Sequence, residues 1–415
     1  MIRPDVLASE RRRDGMSAAR REEAAIPQEN AGLAKARIAS LDVIRGAVMV
    51  LMAIDHVRVF SGVPAGGPTP GVFFTRWVTH FCAPGFVFLA GTAAFLHGHK
   101  LGDRAALSRF LVVRGAWLVL LELTFLRLAW TFNLDYRHYV LGGVIWAIGL
   151  CMILLAALVH LPLAAVAVFG AAVVAGHDLL DPHWPALVPA AQASATPWLW
   201  SVLYLGPLAI GRDSGPFVVL YSLIPWIGVM ALGYAFGAVM EMDPERRRRV
   251  CLLLGLGATA AFIALRATRG YGDPRPWNGT SALGFLNTTK YPASLQFLLM
   301  TLGPTLALVP VLERVEGRLA RALVVFGRVP LFYYLLHIPL IHAAACLVSL
   351  ARSGRVDPWL FANHPMMVPP APAGYVWSLP LLYAVTAAVV VILYVPCRFW
   401  GALKARRSEA WLKHL

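Results

Sequence analysis

Charged residues are what this sequence has little of. Only 14% of its 415 residues are Asp, Glu, Lys or Arg, and acidic side chains number 22, against a hydrophobic share of 58% and a mean hydropathy of +0.64. A chain so poor in charge cannot clothe a soluble domain of ordinary surface; it reads as an all-α polytopic membrane bundle. Cysteine is scarce too. Cys82, Cys151, Cys251, Cys346 and Cys397 fall inside or at the ends of apolar segments, without a CxxC pair or metal-ligand spacing, so they read as buried thiols. Residues 1–39 lack the apolar core of a signal peptide and read as a disordered basic cytoplasmic tail. No internal repeat is visible.

What the chain has in plenty is long apolar runs. Ten stretches are candidate spans: 40–61, 77–97, 109–132, 139–159, 162–180, 217–240, 250–268, 291–312, 322–350 and 376–399. The net charge of +15 could suggest nucleic acid, but the basic residues sit in short runs between the spans. That is a topology signal. Basic clusters fill the tail, the 100–109 and 246–249 segments, the stretch Arg314, Arg318, Arg321, and the end after residue 398. Every second loop is basic, so both termini are expected in the cytoplasm, with residues 40–400 as the membrane domain and 401–415 as a second basic tail. Glycines 228, 233 and 237 are spaced for close helix packing.

The polar residues inside these spans need a reason to be there, because an ionisable group at the bilayer centre costs roughly 2.5–3.5 kcal/mol on insertion scales. The first span, SLDVIRGAVMVLMAIDHVRVF, holds Asp42, Arg45, Asp55, His56 and Arg58. Arg45 and His56, eleven residues apart, return to nearly one helical face about 16 Å apart along the axis. Asp42 and Arg45 can pair at i, i+3. His56, beside Asp55, is either a satisfied structural donor or a general base. In the second span His80 precedes Pro84 and Gly85, which should break the helix just beyond it. Glu122 and Arg127 lie in the third span, where Glu122 needs a partner among Arg45, His337 and Arg127 or a catalytic use. In the ninth, GRVPLFYYLLHIPLIH, Pro330 and Pro339 bracket His337, with Tyr333 one turn earlier on the same face. His337 there is a ligand-lining or a backbone-bonded side chain. Lys290, with Asn287 and Thr289, stands at the outer mouth before span eight.

The opening RIASLDVIRGAVMVLMAIDHVR resembles the first-helix signature of integral-membrane acyltransferases, an Arg followed by a His, here Arg45 and His56. Together with FCAPGFVFLAG and GRVPLFYYLLHIPLI it resembles more closely the heparan-alpha-glucosaminide N-acetyltransferase family and its bacterial relatives. The resemblance implies acetyl transfer from cytosolic acetyl-CoA, or another acyl-CoA as co-substrate, to an acceptor on the far side of a bacterial inner membrane, with no metal. On that basis His56, Arg45, His80 and Asp55 are the expected catalytic residues. Asp42, Arg45, Glu122, Arg127, Tyr333 and His337 would meet the donor, whose phosphates could also find Lys100, Arg104 or Arg109, and Lys290 and Asn287 would meet the acceptor. The expected partners are membrane lipid, acyl-CoA and a glycan or lipid-linked acceptor, without nucleic acid and with room for a homo-oligomer. A proton-coupled permease is the rival reading, since His and Glu at membrane depth also build proton relays.

Overall fold

The computed structural model describes residues 40–67, 69–206, 217–363 and 369–407. The expected N-terminal tail and residues 408–415 of the C-terminal one lie outside the described residues. The first helix, α1, spans residues 40–61. Next come α2 (Pro70–Trp77), a 3-10 turn (Val78–Phe81) and α3 (Cys82–Leu101). Pro84 explains the turn. Lacking an N–H, it cannot bond the carbonyl of His80, and the chain tightens over the preceding residues. The break therefore falls at His80 itself rather than beyond it.

Helix α4 (Arg104–Leu121) begins with Asp103, whose carboxylate accepts from the backbone N–H groups of Ala105 and Ala106, and runs through a single π turn (Glu122–Leu126) into α5 (Arg127–Thr131). Single π turns of this kind often mark functional residues. After α6 (Val144–Leu158) and α7 (Leu163–Gly176) come two short helices, α8 (Trp184–Ala193) and α9 (Pro197–Trp200). Then follow α10 (Leu223–Met240), α11 (Pro244–Ala267), the short α12 (Ala282–Leu286) and α13 (Leu295–Leu312). The chain closes with α14 (Arg318–Gly327), α15 (Pro330–Ser353) and α16 (Leu379–Arg406).

Among the described residues, seven helical stretches are long and apolar enough to cross a membrane: Pro70–Leu101, Leu163–Ala193, α10, α11, α13, α15 and α16. The chain is an all-α, multi-pass membrane protein. Helices also occupy the expected spans of α1, α4 and α6, but the first two carry more charge and α6 has only 15 residues. Three expectations need correction. The ninth span is two helices, α14 and α15, because Pro330 opens a new one at its first position. The first residues of spans four and six are strands: β1 (Val140–Gly142) pairs in parallel with β2 (Phe217–Val219). Lastly, α16 continues to Arg406, past the expected boundary at 400.

Helices in lipid gain little from hydrophobicity and pack where small residues let backbones approach. Gly233 of α10 faces α3 so closely that an added Cβ would stand 2.0 Å from the carbonyl oxygen of Phe88, and Gly91 of α3 has the reciprocal fit at 2.1 Å from Met230. Gly228 meets Val173 of α7, and Gly237 meets Phe95 of α3, so all three glycines of the expected packing stripe serve packing. Helices α1 and α14 clasp in the same way. A Cβ on Gly46 would lie 1.9 Å from the Leu323 oxygen, and one on Gly327 would lie 1.9 Å from the Asp42 oxygen. That clasp is what delivers Arg328 to Asp42. Four of the five cysteines are buried, and all five are unpaired thiols.

Replacing Gly233 with Leu should lower the unfolding temperature in detergent by several degrees, since overpacking typically costs about 1–3 kcal/mol. Gly257→Leu, at a site with nothing within 4 Å of the new Cβ, should leave it unchanged. Equal melting temperatures for the two variants would contradict the packing account.

Candidate active site

The polar face of α1 divides into two ends. At its N-terminal end Asp42 accepts from Arg45 at 3.0 Å and faces the Arg328 guanidinium at 3.7 Å. Asp42 and Arg45 open onto a cavity of about 440 Å³, where they are joined by Arg114 of α4, Arg328 and Lys404 of α16. Four basic side chains thus share one carboxylate. Deeper in, the walls are apolar, with Met49, Leu89, Ile148 and Met152 leading to Tyr334. A charged mouth and an oily shaft suit a molecule with anionic groups at one end and a less polar arm at the other. Sequence reasoning found Arg45 and missed the other three cations. Arg328 stands inside the quoted GRVP motif, but nothing in one sequence announces that α14, α4 and α16 converge there. Arg104, an expected phosphate contact, instead donates to the His160 carbonyl at 3.1 Å.

At the other end of α1, His56 meets His337 of α15, 281 residues away in sequence, with Nδ1 and Nε2 2.6 Å apart. The rings are stacked at 27°, and His56 is held edge-on by Trp130 at 4.8 Å and Tyr334 at 6.0 Å. Hydrogen-bond chemistry assigns the protons. The other nitrogen of His337 lies 2.7 Å from the Tyr334 carbonyl and 3.2 Å from that of Tyr333. A carbonyl only accepts, so His337 Nδ1 carries the hydrogen and its Nε2 offers a lone pair. With both rings neutral, His56 must then donate from Nδ1. Its Nε2 is left with a lone pair and, among the described residues, no hydrogen bond. His337 is therefore both backbone-bonded and functional in position, the two uses that its sequence left open.

Asp55 does not hold the His56 ring through a hydrogen bond. Its two oxygens accept from Arg58 at 2.9 Å and Arg76 at 3.1 Å. Tyr333 is fully buried, packed on His337 and Phe326, and it is Tyr334 instead that lines the cavity. Glu122 meets none of its expected partners. Its Oε2 accepts from the backbone N–H groups of Ile145 at 3.0 Å and Trp146 at 3.2 Å, capping α6 from a neighbouring helix where the local cap residue, Gly143, has no side chain to do so. Arg127 is taken up by the 131–139 segment. It donates to Tyr139, Asn133, Asp135 and Thr131, and its guanidinium stacks 4.6 Å from the Tyr136 ring. The helix ends at Thr131, next to the expected end of the span at 132, and the chain folds back there.

Arg76 leads to a second cavity, of about 860 Å³, which His80, Asn287 and Lys290 also line. The structure thus brings together the two residues expected to meet an acceptor, Lys290 and Asn287, and His80 from the expected catalytic set. Lys290 does not snorkel to the surface: it is 6% exposed, with its ammonium 5.3 Å from the Tyr291 ring and 6.0 Å from that of Tyr221. Burial pushes the Tyr291 phenol up, but Lys290 and Arg76 beside it more than reverse this and hold it below the ordinary phenol range. The segment carrying Lys290 is fixed from below. Asp273 accepts from Thr289 twice at 2.8 Å and from Ser294 at 3.0 Å, and Asp178 accepts from the N–H of Leu295 at 2.7 Å. Neither His56 nor His337 lines a cavity wall itself: Tyr334 of the first wall packs against both rings, and Arg76 of the second is paired with Asp55, the neighbour of His56 in sequence.

The model of the heparan-alpha-glucosaminide N-acetyltransferase catalytic domain matches residues 37–266. The chain belongs to this family. Membership makes it a membrane transferase of the N-acetyltransferase type. A search of curated proteins finds no match. The matched stretch contains Asp42, Arg45, Asp55, His56, His80, Glu122 and Arg127, whereas Lys290, Tyr334 and His337 follow its end. The histidine pair therefore joins the family-matched part of the chain to the part beyond it.

The capping role of Glu122 predicts that Glu122→Gln, which keeps an acceptor oxygen, retains most of the stability. Glu122→Leu should lose about 0.5–2 kcal/mol, the usual worth of a helix cap. Thermal unfolding of the two purified variants decides it; identical behaviour would contradict the cap.

Proposed function

We propose that the protein transfers an acyl group, acetyl foremost, from acyl-CoA in the first cavity to an acceptor in the second. The observation that carries this reading is the His56–His337 contact, which leaves His56 Nε2 without a hydrogen bond among the described residues, on a ring packed against Tyr334 of the first cavity's wall. Arg45, Arg114, Arg328 and Lys404 would hold the phosphates of the donor, and the apolar shaft would accommodate its thioester arm. The acceptor's hydroxyl or amine attacks the thioester carbonyl while His56 Nε2 removes its proton. The carbon–sulfur bond then breaks, and the departing thiolate takes the proton from His56. His337 serves the base through the other side of the ring: a carbonyl-bound imidazole orients it and stabilises the imidazolium as it forms. A transient acyl group on His56 would use the same nitrogen.

The charge pattern of the loops supports placing the first cavity toward the cytoplasm, with both termini there and the acceptor site facing outward across a bacterial inner membrane. A sugar or other envelope component is the acceptor class that fits the family's activity. The permease reading gains nothing from that membership.

Vesicles containing the purified protein and labelled acetyl-CoA test the proposal. His56→Ala should lower turnover by about 10²–10⁴-fold, the usual contribution of a general base, and His337→Ala should lower it less. Undiminished transfer by His56→Ala would remove the base, and substrate flux without any acyl donor would favour a permease.

A further inference from the structure

The second cavity has a chemical bias that its position alone does not require. Its lining includes Arg76, Arg275 and Lys290 and, among the described residues, no aspartate or glutamate. Arg76 is neutralised by Asp55, but neither Arg275 nor Lys290 forms an ion pair among the described residues. Lys290 is only 6% exposed, and the one carboxylate whose charge it is shown to feel, Asp55, is already taken by Arg58 and Arg76. Three further nitrogens on the same wall are buried without hydrogen-bond partners: Trp77 Nε1, His80 Nδ1 and Trp184 Nε1. His80 is only 7% exposed. Indole N–H, ammonium and guanidinium groups can only donate. The charged groups of the lining are therefore all donors, among them two cations without an ion pair among the described residues.

We infer that the second cavity recognises an oxyanion, a carboxylate or phosphate carried by the acceptor, with Lys290 and Arg275 as its anchoring residues. The word acceptor rests on the transferase reading; the anion site does not. An amine on the acceptor would have to enter unprotonated, because among the described residues the lining holds no carboxylate to meet an ammonium. An acid-bearing sugar or a sugar phosphate fits, whether free or attached to a lipid. Asp273, which ties down Thr289 and Ser294 on either side of Lys290, keeps the ammonium aimed into the cavity.

The test is ligand binding by the full-length protein in detergent, without acyl donor, read as a shift in unfolding temperature. The probes are glucuronate, glucose 1-phosphate, farnesyl phosphate, methyl glucoside and glucosamine. The acidic probes should raise the melting temperature and the neutral and cationic ones should not. Lys290→Gln and Arg275→Gln should each weaken acid binding about tenfold, the scale expected for losing one charge-assisted contact. Preference for glucuronate assigns a carboxylate, preference for glucose 1-phosphate a sugar phosphate, and preference for farnesyl phosphate a lipid-borne one. Methyl glucoside binding as tightly as the acids, or undiminished acid binding in both variants, would overturn the inference. Lys290-dependent acid binding without acetyl transfer would leave the anion site standing and remove the transferase reading, whereas transfer to neutral sugars without acid binding would do the reverse.

Discussion

A backbone carbonyl cannot donate a hydrogen bond, and the candidate site depends on that constraint. His337 spends its Nδ1 hydrogen on the carbonyls of Tyr334 and Tyr333 in its own helix, so it can face His56 only as an acceptor. The order passes from a helix backbone through one imidazole into another and ends on His56 Nε2. No carboxylate takes part in this chain. The nearest acid in sequence, Asp55, is held by two arginines. What a carboxylate supplies in other base-activating arrangements, an oriented acceptor behind the ring, is supplied here by the peptide backbone.

The rest of the bundle delivers the groups around that pair. Polar side chains within a membrane protein persist when they are paired or line a cavity, and both outcomes occur here. Arg45 answers Asp42, Arg58 and Arg76 answer Asp55, and Glu122 answers two backbone amides. Close glycine contacts make such pairings reachable. The α1–α14 clasp sets Arg328 beside Asp42, and the α3–α10 contact anchors the helix that follows the His80 turn. The cavities then collect basic side chains, one set at each end of α1.

How much of this was legible in the sequence varies with the kind of contact. The inward face of α1 could be read because helical periodicity is local, and Asp42, Arg45 and His56 stand in the places that their spacing implies. The break near His80 was legible from Pro84, although the strain settles on the turn before the proline. Glu122 was misread because its partners are backbone amides, which have no signature among side chains. Arg127 looked like a membrane-depth charge because its acceptors are largely backbone carbonyls of the segment that follows the helix, which have no signature among side chains, and the left-handed backbone at Phe132 that turns the chain has no glycine to announce it. The His56–His337 contact bridges 281 residues, beyond the reach of any periodicity. Arg114, Arg328, Lys404, Trp77 and Trp184 matter only through convergence, a property of the fold.

The central claim is that His56 is a neutral imidazole protonated on Nδ1, with Nε2 left free of hydrogen bonds to serve as a base. Nitrogen-15 NMR of histidine-labelled protein at neutral pH measures this directly, with His56→Asn and His337→Asn assigning the signals. The account predicts a non-protonated Nε2 on His56, together with a protonated Nδ1 whose resonance moves when His337 is replaced. A proton found on His56 Nε2, or a His56 signal indifferent to the loss of His337, would contradict it.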